Sequence, residues 1–220
     1  MNNPSRRFFR GAALLASLAC CSATQAGPMT VDLSFPRGSL FPEGRVVTTI
    51  EYDNDQGQSL RARVAAGMFG GTASNGVNFD VQTLYRSEND VLAYCIDIVQ
   101  NLLRGTNTYH VRDIAQNQVF EEEGAPRRDF GRMLRFLGAT NAVVAERAGA
   151  ARVSEFSWLE PTRPWMSGAI QVGIWESLYE DPEEDLNIDN GWFEASSLGD
   201  KGNSFLDDIF EIMEDDFAHW

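Results

Sequence analysis

The chain of 220 residues is poor in three residue types that often carry function. It has three cysteines, two histidines and, among its 18 basic residues, a single lysine, Lys201. Because these cysteines and histidines do not cluster with zinc-ligand spacing, no metal site is predicted. Acidic residues number 32, and the formal charge is −14. A chain without excess cation does not displace counterions from phosphates, so we expect neither a nucleic acid nor an anionic membrane as partner.

Long apolar runs and common cofactor motifs are also missing. The run Gly11–Ala19 is shorter than the about 20 residues that a membrane-spanning helix needs. It follows the basic segment Arg6–Arg10 and precedes Thr24-Gln25-Ala26, whose small residues suit a cleavage site. This pattern predicts a signal peptide over residues 1–26 and a mature chain exported to the periplasm, the cell surface or the medium. No nucleophile elbow or phosphate-binding loop occurs, so no cofactor is predicted.

Removal of residues 1–26 would leave Cys95 as the remaining cysteine, because Cys20 and Cys21 depart with the signal peptide. An intramolecular disulfide is then impossible. A lone thiol in an oxidising compartment indicates an intermolecular disulfide, a reactive thiol or a protected state. A buried, inert cysteine is the ordinary alternative.

The chain is predicted to be one α+β domain over residues 27–220. The β-rich part covers about 27–118, the helical part about 125–180, and an acidic part 181–220. We expect a β-rich sheet or barrel with a helical insertion. Strands are predicted at Met29–Phe35, Arg45–Tyr52, Ser59–Phe69, Val77–Tyr85, Val91–Val99 and Thr108–Ile114, with a short strand pair over Leu186–Ala195. Helices are predicted at Arg128–Leu137, Ala142–Ala150, Pro164–Tyr179 and Asn203–Asp216.

Two polar groups fall in apolar settings. In the predicted strand Val91–Val99, alternation puts Cys95 and Asp97 on the same face. In the helix Pro164–Tyr179, Gln171 shares a face with Trp175 one turn later. Each has an ordinary explanation, since Cys95 can serve as a small hydrophobe and Gln171 can bond to backbone.

Taken together, the two groups suggest one reaction. A cysteine thiol held against a glutamine carboxamide can displace ammonia and form an internal thioester, because proximity supplies the effective concentration. Asp97 is the nearest acid or base in sequence to Cys95, and we assign it a supporting role in moving protons. Dry surroundings would protect the product, and the ring of Trp175 is predicted to shield it until a nucleophile docks.

The two segments also resemble a known family. Tyr94-Cys95-Ile96-Asp97 is similar to the Cys motif of bacterial surface thioester domains, and Ile170-Gln171-Val172-Gly173-Ile174-Trp175 is similar to their Gln motif. The resemblance covers roughly residues 60–195 and places the Gln motif in the helical insertion. It implies a Cys95–Gln171 thioester and adhesion-like, covalent capture of a surface nucleophile, either a protein amine, giving an isopeptide-like crosslink, or a glycan hydroxyl. It implies a single-use binding module rather than an enzyme.

Two other functions remain open on the sequence alone. One is a non-covalent extracellular structural or matrix protein, in which Cys95 is buried or dimerised, or in which the thioester is only a structural staple. The other is an exported cysteine hydrolase. The hydrolase is disfavoured because neither His110 nor His219 lies in a recognisable partner motif for Cys95.

Overall fold

The computed structural model describes residues 27–36, 40–53, 58–84, 86–98, 102, 105–111, 128–149, 154–181 and 183–217, with the backbone alone for 215–217. The predicted signal peptide, residues 1–26, lies outside the described residues and stays a prediction. Residues 112–127, where the β-rich part was predicted to give way to the helical part, also lie outside them.

Strands dominate the first half of the described chain and helices the second. The strands are β1 (Thr30–Phe35), β2 (Val46–Asp53), β3 (Ser59–Ala66), β4 (Phe69–Val77), β5 (Val91–Ala93), β6 (Gly105–His110) and β7 (Phe193–Ser196). The helices are α1 (Phe130–Arg147), α2 (Pro164–Tyr179) and α3 (Asp200–Phe217). Helices α1 and α2 lie between β6 and β7 in sequence, as expected for an insertion.

The strands form two antiparallel sheets. The first has the order β5-β4-β1-β6 and the second the order β3-β2-β7. Strand β7 returns after the helices to pair with β2, where Tyr52 faces Phe193. The α+β class is therefore confirmed, with the Gln motif on inserted helix α2. Of the two alternatives, sheet or barrel, the described strands form open sheets.

Strand β4 lies where the sequence predicted a connection. The expected strand over Val77–Tyr85 is wrong, because β4 ends at Val77 and Val81–Thr83 forms a 3₁₀ turn. The glycines of β4 suit its place between β1 and β5. A Cβ on Gly71 would lie 2.7 Å from the carbonyl oxygen of Ser34 on β1. A close backbone neighbour, which is a tertiary feature, thus accounts for glycine in a strand.

Helix α1 is continuous, although the sequence predicted a break after Leu137. The hydroxyl of Thr140 donates to the carbonyl one turn earlier at 2.7 Å, inside the helix. The side chain of Asn141 donates to the carbonyl of Glu155 at 3.0 Å and accepts from the amide of Trp158 at 3.0 Å. Both polar side chains therefore have partners that leave the helical backbone bonds intact.

Helix α2 has the predicted bounds and lies at the centre of the fold. It packs against α1, against α3 and against the second sheet. Every residue from Met166 to Tyr179 is buried. Two glycines allow this close packing, because a Cβ on Gly168 would overlap Val46 of β2 and one on Gly173 would overlap Phe136 of α1. The helix is therefore covered on all sides rather than along one apolar stripe.

Most of the remaining predicted strands and helices form at the expected positions, but with different first or last residues. The predicted strand over Thr108–Ile114 is β6, which ends at His110, and of the strand pair over Leu186–Ala195 only β7 forms. Helix α3 begins three residues earlier than predicted and buries Phe205, Ile209 and Met213. No helix in the described part of the chain is long and apolar enough to cross a membrane.

Candidate functional site

The candidate site begins with a buried carboxamide on helix α2. Arg163 is extended and Pro164 occupies the first turn, where its missing amide hydrogen is not needed. This start places Gln171 in the middle of the helix, where it is fully buried. A buried carboxamide without partners costs on the order of 1–3 kcal/mol, so its partners show what the helix is built to hold.

Both polar atoms of Gln171 bind the backbone of Cys95. The amide nitrogen of Cys95 donates to Oε1 of Gln171 at 2.9 Å. In return, Nε2 of Gln171 donates to the carbonyl oxygen of Cys95 at 2.7 Å. The two residues are 76 positions apart in sequence. The carboxamide carbon, bonded to both of these Gln171 atoms, therefore lies directly beside Cys95.

The segment that carries Cys95 is not the long strand that the sequence predicted. Strand β5 ends at Ala93, and residues 94–98 belong to no strand that the structure describes. Helix α2 supplies hydrogen-bond partners instead. The hydroxyl of Tyr179 donates to the carbonyl oxygen of Ile96 at 3.1 Å and accepts from the amide of Ile98 at 3.3 Å. Side chains of a helix thus replace a neighbouring strand.

The spacing of the two α2 side chains matches that of the backbone groups they bind. Eight residues separate Gln171 from Tyr179, which is about 12 Å along a helix axis. Three residues separate Cys95 from Ile98, which is about 10 Å in an extended chain. The segment 94–98 therefore runs alongside α2, held near both ends.

The thiol of Cys95 is half-buried and donates to the carbonyl oxygen of Asp97 at 3.0 Å. Burial raises the pKa of the Cys95 thiol, and the negative charge of Asp97 acts in the same direction. The hydrogen bond to the Asp97 backbone and the charge of Arg128 act in the opposite direction. Since the net shift is upward, the thiol keeps its proton at neutral pH.

Asp97 lies beside Cys95, as predicted. The prediction relied on strand alternation, whereas the two residues lie outside the described strands. The carbonyl oxygen of Asp97 accepts the hydrogen bond from the Cys95 thiol, while its carboxylate Oδ2 lies 3.5 Å from Nη2 of Arg128. The Arg128 guanidinium carbon lies 5.4 Å from the centre of the Tyr179 ring. Arg128 was not among the residues predicted for the site. An acid in an apolar strand indicates a basic partner, but nothing in the sequence shows which arginine it is.

Trp175 is buried and belongs to the main hydrophobic core. Its indole Nε1 is also buried, with no hydrogen-bond partner among the described residues. Trp175 lies one helical turn after Gln171 on α2. The predicted shielding role of Trp175 stays a prediction, and core packing accounts for its burial as well.

A second polar contact fixes the start of the segment. Burial raises the pKa of the Tyr94 hydroxyl, and a hydrogen bond with the Ser167 side chain partly offsets this. The Tyr94 hydroxyl also donates to the carbonyl oxygen of Trp158 at 3.4 Å. Ser167 accepts from the amide of Met68 at 2.8 Å. Ser167 lies one turn before Gln171, so the hydrogen bonds of Gln171 and Tyr179 hold the segment 94–98 and Ser167 lies near its first residue.

Two buried acids at the C-terminal end of α2, Glu176 and the capping residue Glu180, could not be recognised as buried from the sequence. Oε1 of Glu176 accepts from the amide of Asn187 at 2.6 Å, and its Oε2 is buried without a partner among the described residues. Burial raises the pKa of Glu176 to about 8; the charge of Glu180 adds to the shift, and that of Arg132 opposes it. Glu176 is therefore mostly protonated at neutral pH.

Glu180 binds the loop that leads into β7. Its Oε1 accepts from the amides of Asp181 at 2.8 Å and Trp192 at 3.0 Å, and its Oε2 accepts from the amide of Phe193 at 3.2 Å. Gly191, which has a φ of 121°, leaves room for this carboxylate. The two acids thus bind backbone amides of the chain that leads from α2 to β7, away from the Gln171 contact.

Comparisons with protein-family models, with curated proteins and with solved structures found no match for this chain. Within the described ranges, no group of three or more His, Cys, Asp or Glu side chains is placed to hold a metal ion. Of the two histidines, His110 is exposed at the end of β6, and His219 lies outside the described residues.

Proposed function

We propose that this protein is an exported thioester domain that captures a nucleophile covalently through Cys95 and Gln171. One observation carries the proposal: the Gln171 carboxamide binds both the amide and the carbonyl of Cys95, at 2.9 and 2.7 Å. The Gln171 carboxamide therefore lies against the backbone of the residue that carries the thiol, which supports a reaction between the two groups. Holding reactants in contact removes most of the entropic cost of their reaction.

The two hydrogen bonds of the Gln171 carboxamide suit thioester formation. Sγ of Cys95 attacks Cδ of Gln171, the Cδ–Nε2 bond breaks, and the thiol proton leaves with nitrogen as ammonia. The Cys95 amide that donates to Oε1 is placed to stabilise the negative charge that develops on this oxygen. The bond from Nε2 to the Cys95 carbonyl orients the departing nitrogen. Asp97, whose carbonyl holds the thiol, is the supporting residue.

The surroundings suit a thioester that survives in water and still reacts with a docked nucleophile. Gln171 is fully buried, so water reaches its carbonyl carbon poorly. The raised pKa of the Cys95 thiol makes its thiolate a poor leaving group, which slows hydrolysis. The half-buried Cys95 side leaves an approach for an amine or hydroxyl on a protein or glycan surface. Export would place the domain outside the cytoplasm, where such surfaces lie.

Intact mass of the purified mature protein tests the proposal. The wild-type chain is expected to be lighter than its sequence by one ammonia, while Cys95→Ala and Gln171→Ala each have the calculated mass. Methylamine should then add to Gln171 and release one alkylatable thiol at Cys95, in equal amounts. A wild-type mass equal to the sequence, with a thiol that alkylates in the native state, would refute the thioester.

One observation favours a second candidate, a non-covalent structural protein. The same two hydrogen bonds satisfy both polar atoms of Gln171, so the residue can serve as a strap between α2 and the segment 94–98. The strap requires no mass loss. If the mass loss is present but no amine or alcohol opens the bond in the folded state, the thioester is a structural staple and the adhesion function fails.

A further inference from the structure

Arg128 is fixed in place between two helices. The next residue, Asp129, donates its amide to the carbonyl of Leu178 near the end of α2 at 3.0 Å. The side chain of Asp129 accepts from the amide of Arg132 at 2.7 Å and so caps the start of α1. The backbone at Arg128 is therefore anchored to both helices, beside Tyr179.

The guanidinium of Arg128 is almost removed from water. Its side chain is 5% exposed, and the carboxylate partner Asp97 is 20% exposed. A buried cation is costly unless other groups compensate for its lost hydration. Here the Asp97 carboxylate at 3.5 Å and the face of the Tyr179 ring, 5.4 Å from the guanidinium carbon, provide compensation.

A single residue lies in space between this buried cation and the thiol of Cys95. Asp97 connects the two groups, because its carbonyl binds Sγ of Cys95 at 3.0 Å and its carboxylate faces Arg128. In partly buried surroundings a charge acts more strongly over such distances than it does in water. Among the residues that the structure describes, the charged and titratable groups that interact with the thiol are Asp97, Arg128, Tyr109 and Tyr179. Among these four groups, Arg128 alone is a cation.

We propose that Arg128 is a positioning residue that controls how readily the Cys95–Gln171 thioester opens, by stabilising the charge on the departing Cys95 sulfur. The proposal rests on the proposed function. When an amine attacks Cδ of Gln171, a C–N bond forms, the C–S bond breaks, and the electron pair goes to Sγ. The proton lost by the amine ends on this sulfur. Negative charge therefore develops at Sγ, where the Arg128 cation lowers its energy and Asp97 raises it.

The electrostatic part is tested without a thioester, in a Gln171→Ala background. The thiolate of Cys95 is titrated by its ultraviolet absorbance in this variant and with Arg128→Gln or Arg128→Lys added. Arg128→Gln is expected to raise the pKa of Cys95, because the opposing cation is lost. Arg128→Lys, which keeps the charge, is expected to restore most of the difference. An unchanged titration in Arg128→Gln would overturn the proposal whether or not the wild type forms a thioester.

The reactivity part uses chains with Gln171 intact. Methylamine opening is expected to be about tenfold slower in Arg128→Gln than in wild type, with partial rescue by Arg128→Lys. If the thioester is present and Arg128→Gln opens at the wild-type rate, the proposal fails and the proposed function stands. If the wild-type mass equals the sequence, both fail, and the titration reports only on the thiol.

Arg147 provides a matched control. It also pairs with a carboxylate, Asp208, and lies over the rings of Trp165 and Phe205, at 5.9 and 5.1 Å. It lies at the other end of the 18-residue helix α1, about 25 Å from the start of that helix. Arg147→Gln should leave both the titration and the opening rate unchanged. If Arg128→Gln folds poorly, the comparison is made in an Asp97→Asn background, where neither variant leaves an unpaired carboxylate. The double variant Asp97→Asn/Arg128→Gln is expected to open more slowly than Asp97→Asn alone, and equal rates would overturn the proposal.

Discussion

The buried acid Glu176 is expected to make the stability of this protein depend on pH. A single substitution can separate its contribution from those of the other acids. Its pKa is raised from 4.5 to about 8, mainly by burial. Between these two pH values the folded chain holds a proton on Glu176 that the unfolded chain has lost. The free energy of unfolding contributed by this group is therefore fully present below pH 4.5, falls as pH rises, and is lost above about pH 8.

The expected size follows from the same interval. One retained proton changes the free energy of unfolding by about 1.4 kcal/mol per pH unit. Because the carboxyl of the unfolded chain is only half ionised at pH 4.5, the loss from pH 4.5 to pH 7 is about 3 kcal/mol. Glu176→Gln keeps an acceptor for the Asn187 amide but has no proton to lose. Relative to wild type, this variant should gain about 3 kcal/mol of stability between pH 4.5 and pH 7.

Urea unfolding at several pH values measures this difference. Both chains should carry Cys95→Ala, so that no chemistry of the thiol contributes. Glu211→Gln, at an exposed position of α3, is the control for replacing a glutamate by a glutamine. A stability difference between Glu176→Gln and its parent that is constant from pH 4.5 to pH 8 would refute the buried, protonated state of Glu176.

Three further substitutions test the candidate site. Asp97→Ala keeps the carbonyl that binds the thiol but removes a carboxylate partner of buried Arg128, so we expect a folded, less stable protein with a smaller crosslinked fraction by intact mass. Full crosslinking and normal reactivity would mean that Asp97 has a structural role only. Tyr179→Phe removes the hydroxyl that binds the backbone of Ile96 and Ile98, so it should lower the free energy of unfolding in urea by about 1–3 kcal/mol and slow thioester formation. An unchanged rate of formation would contradict the role of Tyr179 in holding the segment. Trp175→Ala should speed hydrolysis of the thioester if the Trp175 ring shields the bond. If Trp175 only packs in the core, the substitution should lower stability by about 3–5 kcal/mol without changing the rate of reaction with amines, and thermal unfolding measured beside that rate distinguishes the two roles.

Features that depend on local pattern could be predicted from the sequence. The bounds of α2 followed from a proline at its start and helix-forming residues through Tyr179, and the structure has the same bounds. Strands β1 and β2 followed from alternation and a high content of β-branched residues. Cys95 and Gln171 were identified because each is a reactive or polar group in an apolar segment, and such a group needs a specific partner wherever the chain folds.

The contacts between distant segments were decided by tertiary structure. Glycine in β4 depends on the approach of β1, and the early end of β5 depends on Gln171 and Tyr179 replacing a strand as hydrogen-bond partners. Arg128 became part of the site only because the start of α1 is anchored to the end of α2. Local periodicity contains no information on which distant groups meet, because their contacts depend on how the elements pack.

The burial of the α2 acids shows the same limit most directly. Helical periodicity put Glu176 and Glu180 on another side of the helix from Gln171, which is where they lie. It did not show that this side is covered as well, by the loop that returns to β7. A local sequence pattern determines the face on which a side chain lies, whereas packing alone determines whether that face meets water. The unusual pKa of Glu176 follows from that packing.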